Sequence, residues 1–533
     1  MRGGSRKLVL TAVILITAGV HSGSLFLDFN SFWDHIHVYR NPFQAPLSPG
    51  LVGRAFTEVV EAEYTPLRSL SNSLDWTIWG ERPFGHHLTG YLIFLLNTAL
   101  VFLLVERLTA SAGCPSPRRI YLAGLTALFF GIHPLKVQVV AWVTTRDYQL
   151  GACFYLLCLL AYLRRFRTGG GGWYALSLLG AILASLAQAM AVSLPLVLLL
   201  LDWYPLRRFR VRSPSALLFE KAPFVLVALL TAVVTWQIRS GVRVLHPFDL
   251  PSLAGNVVEL PAALLFYAYK TFLPLRLAPV YPMEITANPG LIIASWILLA
   301  GLSVFAFAAR RSSPALPAGI VLSLVLVLPA GGLVRSGASA LADRYVQLAN
   351  LPLLFGIAWL VVRAAGNPRI RRPAVGVAGA WALLLAGKTL TYTALWDRPI
   401  ELTRLAYDSS PRSRIMEIFM LRTYNNVAAR RADEGRYGEA LEACRMALEI
   451  NPADPDSLTN LGVLCIGLGK DEEARAAFAR AAVLAPGDAD AHFNLGLASL
   501  RRGMKEEARA AFEKTVRLNP AHRRARQLLA EIR

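Results

Sequence analysis

The chain has 533 residues, of which 55% are hydrophobic, and its mean hydropathy is +0.44. This combination excludes a single small soluble domain and predicts a membrane protein with many spans. The formal net charge of +20 would suit a nucleic-acid-binding protein. However, Arg and Lys are concentrated in short clusters between apolar runs, as the positive-inside rule describes, so no nucleic-acid partner is expected. The five cysteines form no Cys-x-x-Cys pair, which gives no sign of a disulfide framework or a zinc site.

The first apolar run, residues 8–27, follows Arg6 and Lys7 in the manner of a signal peptide. Because no small-residue cleavage site follows the run, we interpret it as a retained first span. The basic N-terminus predicts a cytoplasmic start. Residues 28–87 then form a large extracytoplasmic loop, in which Trp, Tyr and amphipathic pieces predict short interfacial helices.

Ten further apolar runs predict spans that alternate direction, and each basic cluster then falls on the same side of the membrane. Residues 239–290 are too broken by proline and polar residues for one span, so we expect a second large outer loop with an interfacial helix near 255–273. The predicted fold is all-α, with a polytopic bundle of about eleven spans over residues 1–396. After the first, the predicted spans are 88–105, 120–132, 148–163, 173–186, 190–201, 222–238, 291–309, 315–333, 346–363 and 374–394.

The tail is charged, rich in alanine and repetitive. The dipeptides Asn451-Pro452, Ala485-Pro486 and Asn519-Pro520 recur every 34 residues, as do glycines and alanines between them. This period is the signature of tetratricopeptide (TPR) repeats, which stack into an α-solenoid. We therefore expect a linker at 397–414, followed by a soluble TPR domain of about three repeats at 415–533.

The first helices of these repeats carry Asn425, Asn460 and Asn494, where the concave surface of a solenoid could grip a peptide. A structural role for these asparagines is equally consistent with the sequence. The repeats predict a protein or peptide partner, not a chemical reaction.

The stretch LFLDFNSFWDHIHVYRNP, residues 25–42, begins where the first apolar run leaves the membrane. It places Asp34 just past the end of a membrane helix, between an apolar wall and water. Such a position suits a catalytic base. The alternative interpretation is that Asp34 only caps a short interfacial helix.

Six segments, taken together and in order, resemble a known family. They resemble the multispan glycosyltransferases of the GT-C fold that carry C-terminal TPR repeats, including the transmembrane-and-TPR protein O-mannosyltransferases and their bacterial homologues. The segments are WDHIHVYRNP (33–42), YTPLRSLSNSLD (64–75), RPFGHHLTGYLIFLLN (82–97), HPLKVQVVAWVTTRD (133–147), SLPLVLLLLDWYPL (193–206) and ADRY (342–345).

The resemblance implies a membrane enzyme that uses a sugar on a polyprenyl phosphate as its donor. In such a reaction, a carboxylate in the first outer loop deprotonates an acceptor hydroxyl, which attacks the anomeric carbon with inversion while the lipid phosphate leaves. The reaction needs a positioned base, cations for the phosphate and a slot open to membrane lipid.

Mapped onto this chain, Asp34 takes the second position of a paired acidic motif, and Trp33 stands at the first. Arg146 and Asp147 match the Arg-Asp that closes the second outer loop. Arg146 is the first candidate for a donor-phosphate contact, since a planar guanidinium suits two phosphate oxygens. The alternative is an Arg that sets topology or pairs with Asp147.

The resemblance supplies three weaker phosphate candidates, namely Arg344 in ADRY, Lys270 near the outer face, and Lys136. A helix cap or interfacial hydrogen bond is expected for the two histidines at 86 and 87, and the His-Pro at 133–134 is expected to stop a helix. The residues expected to line the site are His35, His86, His87, His133, Gln138, Asp147 and Gln188.

The chain departs from the family pattern at four polar positions. Lys136 and Gln138 replace the second His and the Glu of His-Pro-x-His-x-Glu, and Gln188 replaces a Lys at a hairpin tip, in addition to Trp33. Gln138 can neither act as a base nor bind a divalent cation well. The pattern therefore implies no metal and no cofactor. Two interpretations remain open: a metal-free enzyme that uses a different donor, or a degenerate site.

Three functions remain open. The first is a lipid-linked-sugar-dependent glycosyltransferase, which acts on protein serine or threonine and for which mannose is one sugar that the family implies. The second is a non-catalytic membrane scaffold whose repeats recruit envelope proteins. The third is a transporter, which is less favoured because the polar residues cluster in outer loops rather than at mid-bilayer positions. We expect a multi-pass protein of an inner or plasma membrane, with a cytoplasmic N-terminus and an extracytoplasmic TPR domain.

Overall fold

The computed structural model describes residues 2–29, 43–60, 63–241, 250–281, 288–311, 314–329, 341–409 and 414–532. The chain divides into two compact units, Met1–Arg398 and Pro399–Arg533. In the described residues the only extended pairings are the isolated bridges Val60–Glu63 and Tyr281–Leu341. The prediction of an all-α fold is confirmed.

The first unit contains fifteen α-helices within the described residues. Short 3₁₀ turns separate several of them, at 134–136, 143–145, 189–193 and 343–346 among others. The helices are α1 (Arg2–His21), α2 (Pro49–Thr57), α3 (Pro66–Trp79), α4 (Pro83–Ser111), α5 (Ser116–Gly131), α6 (Val137–Ala141), α7 (Arg146–Thr168), α8 (Gly171–Ala187), α9 (Leu194–Trp203), α10 (Pro214–Gly241), α11 (Leu250–Phe272), α12 (Pro289–Ala309), α13 (Ala315–Val327), α14 (Leu351–Ala365) and α15 (Arg371–Leu395).

Helices α1, α4, α10, α12 and α15 are long and apolar enough to cross a membrane. A sixth span results if α5 and the 134–141 segment, which meet at 58°, form one broken span or a re-entrant loop. Four shorter apolar helices lie at 171–187, 189–203, 315–327 and 351–365. The chain is thus a multi-pass membrane protein, while the number of eleven spans stays a prediction.

Apolar side chains of α4, α5, α7, α8 and α9 form the largest core cluster of the described residues. Phe94, Phe102 and Phe130 are fully buried in it. The α7–α8 hairpin depends on a small residue, because a Cβ at Gly180 would lie 3.0 Å from the Cα of Cys158. This close approach lets two apolar helices pack along most of their length.

A group of charged residues, here called the Asp202 network, joins the ends of α7, α9 and α10. Asp202 accepts hydrogen bonds from Tyr162 at 2.8 and 2.9 Å and pairs with Lys221 at 2.7 Å and with Arg208 at 3.1 Å. Arg208 also pairs with Glu220 at 2.7 Å. Since Asp202 and Lys221 are fully buried, each charge in the centre of the network is matched by an opposite one, as buried charges require.

The second unit is a series of helix pairs. Residues 399–409, within the segment expected to be a linker, form a helix that packs on the next one. The helices are α16 (Pro399–Ser409), α17 (Arg414–Asp433), α18 (Tyr437–Ile450), α19 (Pro455–Gly467), α20 (Asp471–Leu484), α21 (Ala489–Arg501), α22 (Lys505–Leu518) and α23 (Arg523–Glu531).

The repeat glycines and alanines have the roles that their period predicts. Gly435, Gly469 and Gly503 each have φ +73°, a left-handed conformation that glycine adopts without strain. Two helices of a repeat approach closely at Gly462, where a Cβ would lie 2.6 Å from the ring of Phe478. Both observations follow from the sequence period of the solenoid.

The predicted asparagines lie on α17, α19 and α21, as expected. Asn460 donates to Asn425 Oδ1 at 3.2 Å, and Asn425 donates to Asp454 Oδ2 at 3.0 Å. These two asparagines therefore link successive repeats. For Asn425 and Asn460, the contacts correspond to a structural role, which was the alternative to peptide binding.

Candidate functional site

The expected catalytic base lies outside the described residues. Asp34, together with Trp33 and His35, falls within 30–42. The nearest described carboxylate upstream is Asp28, whose Oδ1 accepts a hydrogen bond from the backbone of Phe29 at 2.7 Å. The role of Asp34 therefore stays a prediction.

Arg146 is the first residue of α7. Its side chain is buried and forms an ion pair with Asp75 of α3. One guanidinium nitrogen donates to Asp75 Oδ2 at 2.6 Å and to Ser71 Oγ at 3.1 Å, and another donates to the carbonyl oxygen of His86 at 2.6 Å. The alternative of an ion-paired arginine is observed, but with Asp75 rather than Asp147. Its partners leave this first phosphate candidate little capacity to bind an additional anion.

The two histidines at the start of α4 are buried beside this ion pair. His86 Nε2 lies 2.9 Å from the carbonyl oxygen of Gly80, and its ring makes edge contacts with Phe29 and Trp76. This is the hydrogen-bonding role expected of it. His87 is 1% exposed and lies beside Asp28.

The helix stop at His133-Pro134 is confirmed, because α5 ends at Gly131. His133 Nδ1 accepts from the backbone of Leu135 at 3.2 Å, and Nε2 lies 2.9 Å from the carbonyl oxygen of Thr271. Both ring nitrogens are thus used within the protein. The histidine fixes the turn that leads from α5 into the bent segment.

Lys136 is fully buried and its ammonium group is saturated. It donates to the carbonyl oxygens of Val346 and Gln347 at 2.8 and 2.9 Å and to Asn350 Oδ1 at 2.9 Å. An ammonium has three donors, and all of them are occupied here. Lys136 fastens the bent segment to residues 346–350.

Gln138 has a similar linking role. Its Nε2 donates to the carbonyl oxygen of Pro279 at 2.9 Å, and its Oε1 accepts from the backbone of Arg344 at 2.7 Å. The residue is fully buried. The amide that replaces the family's Glu therefore connects the 278–281 loop to the ADRY motif.

Lys270 is held at the end of α11. Its ammonium donates to the carbonyl oxygens of Leu275 and Arg276 at 2.6 and 2.9 Å and lies 5.0 Å from the ring centroid of Tyr281. These contacts close the loop that follows the helix, as a cation at a helix C-terminus commonly does.

Arg344 differs from the other three cations. It is half-buried, and its guanidinium lies against the rings of Trp142, Tyr148 and Tyr345, with centroid distances of 5.7, 6.0 and 4.8 Å. Its side-chain hydrogen bonds are long, at 3.4 Å to Pro279 O and 3.3 Å to the Tyr345 hydroxyl. Among the residues that the structure describes, no carboxylate forms an ion pair with it.

The ADRY motif is fixed by its aspartate, a residue that no sequence pattern marked as part of the site. Asp343 is fully buried and accepts from the hydroxyls of Tyr281 at 2.7 Å and Tyr392 at 3.3 Å. Burial raises the pKa of Asp343 to about 7, against the opposing effects of the Tyr281 hydrogen bond and the Lys270 charge. No local sequence pattern indicated these tyrosines, because they are distant in the chain.

A cleft of about 420 Å³, including its open mouth, lies beside Tyr345 and the start of α7. Gln188, at the predicted hairpin tip, lines it and donates to Asp147 Oδ2 at 2.7 Å. Asp147 Oδ1 is buried and has no hydrogen-bond partner among the described residues. The lining residues are Tyr148, Gly151, Ala152, Tyr155, Gln188, Met190, Ala191, Ser193, Leu326, Tyr345, Gln347, Leu348 and Ala349.

The structure thus brings part of the predicted site together. Lys136, Gln138 and Arg344 meet around residues 341–350, and Asp147 and Gln188 meet at the cleft. Arg146 and His86 share a separate cluster with Asp75. Within the described part of the chain, no three His, Cys, Asp or Glu side chains are arranged to hold a metal ion.

These features define a class of protein: a multi-pass helical membrane unit followed by a TPR solenoid. The tetratricopeptide repeat family models match residues 431–492 and 489–522, which confirms the predicted repeats. Among solved structures, the MamA protein is similar over 26% of this chain and 70% of its own, with 23% identity and a TM-score of 0.22, which carries no argument about the fold.

The relatives are protein O-mannosyl-transferases, so the resemblance to the transmembrane-and-TPR family is confirmed. Tmtc1 of Drosophila melanogaster is 25% identical over 478 residues, which is 77% of this chain and 53% of that protein. Human TMTC2 is 25% identical over 32% of this chain and 20% of its own length. Tmtc2 of Drosophila melanogaster is 32% identical over 30% of this chain and 17% of its own length. The chain therefore spans about half, or less, of the length of these relatives.

Proposed function

We propose that the chain is a membrane glycosyltransferase that uses a polyprenyl-phosphate sugar donor. The acceptor is a hydroxyl group, of serine or threonine in a protein, and transfer takes place on the extracytoplasmic face. The names of the relatives support a protein acceptor and make mannose the first sugar to test. The TPR unit supports binding of a protein acceptor or partner.

The observation that carries the proposal is the state of Arg344. Of the four cations selected from the sequence, Arg146 is ion-paired, and Lys136 and Lys270 donate to protein oxygens at short distances. Toward the described residues, Arg344 makes long hydrogen bonds and lies against an aromatic wall. A guanidinium has five donors, so this one retains the capacity to bind phosphate oxygens.

The chemistry follows from these assignments. Asp34 takes the proton of the acceptor hydroxyl, and the hydroxyl oxygen forms a bond to the anomeric carbon of the sugar. The bond from that carbon to the phosphate oxygen breaks, and its electron pair leaves with the polyprenyl phosphate. Arg344 stabilises the charge that develops on this leaving group. Attack from the face opposite the phosphate gives inversion.

The test is sugar transfer in membranes from a radiolabelled polyprenyl-phosphate mannose donor, comparing the wild type with Asp34→Asn, with and without EDTA. We expect transfer by the wild type in both conditions and loss of transfer in the variant, at equal protein levels. Full turnover by the variant would remove Asp34 as the base. No transfer from any of several polyprenyl-linked sugars by the wild type would overturn the proposal.

One observation favours the alternative of a non-catalytic scaffold. Lys136 and Gln138 stand where the family carries a His and a Glu, and every polar atom of both side chains is bound within the protein. Positions of the family's site have thus acquired structural roles. If the scaffold is correct, the TPR unit tethered by an unrelated membrane anchor retains the biological role.

A further inference from the structure

Gln347 lines the cleft, as Tyr345 does, and its side chain has no hydrogen-bond partner among the described residues. The residue is only 4% exposed, yet both its Nε2 and its Oε1 are without partners among the described residues. Most buried amides in folded proteins are satisfied. A buried, unsatisfied amide that lines a cleft is therefore a place where an ordered water or a polar ligand supplies the missing partners.

The other polar groups of the cleft are already engaged. The Tyr155 hydroxyl and Ser193 Oγ form a hydrogen bond of 3.0 Å, and Gln188 donates a hydrogen bond to Asp147. Leu326, Leu348 and the neighbouring alanines supply apolar surface. Within this lining, Gln347 is the side chain whose donor and acceptor are both unused.

The free groups of Gln347 define the chemistry of the ligand. An amide offers two N–H donors and a carbonyl acceptor, so a matching ligand must both donate and accept. The ester-linked phosphate of a lipid donor only accepts, and an isoprenoid chain does neither. The hydroxyl groups of a sugar ring do both.

The position of Gln347 relative to Arg344 also fits a glycosyl phosphate. Residues 343–346 form a 3₁₀ turn, and Gln347 continues it with helical backbone angles. In such a turn, residues three apart lie on the same side, so the side chains of Arg344 and Gln347 project in similar directions. A sugar attached to a phosphate held by Arg344 would thus lie within reach of the Gln347 amide.

Aromatic rings border the same space. Tyr148 and Tyr345 both line the cleft, with their ring centroids 6.0 Å apart. Tyrosine presents apolar faces and a polar edge, which suits a ring that carries both C–H and O–H groups.

We propose that Gln347 is a specificity-determining residue that binds the sugar ring of the lipid-linked donor. Its Nε2 donates to one ring hydroxyl and its Oε1 accepts from another. The inference rests on the proposed function, which supplies the donor, and extends it by assigning the sugar subsite to the cleft between the start of α7 and residues 345–349.

The test is direct binding of two probes, farnesyl phosphate and farnesyl phosphate mannose, to the purified full-length protein. The ratio of the two dissociation constants measures the contribution of the sugar. Gln347→Met keeps the length of the side chain but removes its donor and acceptor. Gln347→Leu is a second variant in case the first fails to fold, and Gln237→Met, at an exposed position of α10, is the matched control.

We expect the wild type and the control to bind the mannose-bearing probe at least about tenfold more tightly than farnesyl phosphate. Gln347→Met should lose most of this ratio and keep its affinity for farnesyl phosphate. An unchanged ratio, or an equal loss for both probes, overturns the assignment of Gln347. If instead the variant raises KM for an acceptor peptide and leaves donor binding unchanged, the cleft is an acceptor site and the inference is wrong.

The two proposals fail in different ways. If the wild type binds neither probe, the lipid-phosphate donor of the proposed function is wrong, and the sugar subsite is wrong with it. If the wild type binds farnesyl phosphate but the ratio does not depend on position 347, only the inference about Gln347 is wrong.

Discussion

The membrane unit holds its buried cations in two contrasting ways. In the Asp202 network, Lys221 and Arg208 each contact carboxylates at 2.7–3.1 Å, and a tyrosine hydroxyl completes the set. Beside the cleft, Arg344 lies against the rings of Tyr148 and Tyr345 and makes long hydrogen bonds, and the Gln347 amide has no partner among the described residues. In the first arrangement the charges are matched by opposite charges, and in the second the Gln347 amide has no partner among the described residues.

This difference separates structural charges from those available to bind. A buried charge is costly unless it is paired, and removing one partner from a complete pair is strongly destabilising. A cation that stabilises a phosphate must keep donors in reserve. Arg146 and Lys136 belong with the structural type, although the sequence alone favoured Arg146 for phosphate.

The largest effect on stability is expected from Asp202→Ala. Lys221 and Arg208 would lose their fully buried carboxylate partner and keep only Glu220. Breaking a buried pair costs about 3–5 kcal/mol of unfolding free energy. Unfolding in mixed detergent micelles measures the effect, and Glu81→Ala at an exposed position is the control. A loss of less than about 1 kcal/mol would show that the network is not a structural element.

Lys136→Met should have the next largest effect. Three acceptors, the carbonyl oxygens of residues 346 and 347 and Asn350 Oδ1, would lose a charged donor, at a cost of about 1.5–3 kcal/mol. The same unfolding measurement applies, with the exposed Lys388→Met as control. If Lys136→Met has the same unfolding free energy as the wild type, Lys136 is not a structural cation and, like Arg344, is available to a ligand.

A pH-dependent effect is expected from Asp343→Asn. Because the pKa of Asp343 is raised to about 7 in the folded protein, the native state keeps a proton that the unfolded state loses above pH ~4. The contribution of Asp343 to stability should therefore fall as the pH rises from about 4 to 7. The variant should lack this decline, as measured by unfolding across that range.

The control for the pH series is Asp397→Asn, at an exposed position. Its stability curve should run parallel to that of the wild type. Parallel curves for Asp343→Asn as well would contradict a raised pKa at the ADRY motif.

The smallest effect on stability is expected from Arg344→Ala. Contacts of its guanidinium with aromatic rings contribute about 0.5–1 kcal/mol at partly exposed sites, and no ion pair with a described carboxylate is lost. The unfolding free energy should therefore stay within about 1 kcal/mol of the wild type. If the unfolding free energy falls as much as in Lys136→Met, Arg344 is a structural cation. The difference between Arg344 and the cations of the Asp202 network would then disappear.

Much of the fold was predictable from the sequence. The 34-residue period determines the solenoid because small residues must recur where helices cross, as Gly462 shows. The apolar runs determine the helices of the membrane unit, and the His-Pro pair at 133–134 predicts the break after α5. Each of these signals is local in the chain.

The roles of the site residues were less predictable, because they depend on partners distant in the sequence. Arg146 pairs with Asp75, and Lys136 binds residues more than two hundred positions away. No local pattern encodes such contacts. Gln347 carries no motif of its own, and its three-residue spacing from Arg344 was the only signal that could have selected it.

The most direct test of the central claim is sugar transfer in membranes by Arg344→Ala. The assay uses polyprenyl-phosphate mannose as donor, and the exposed Arg82→Ala is the matched control. We predict that Arg344→Ala loses at least about tenfold in transfer while it folds normally, because a charge-assisted contact to the leaving phosphate is lost. Transfer at the wild-type rate by a folded Arg344→Ala would contradict the account.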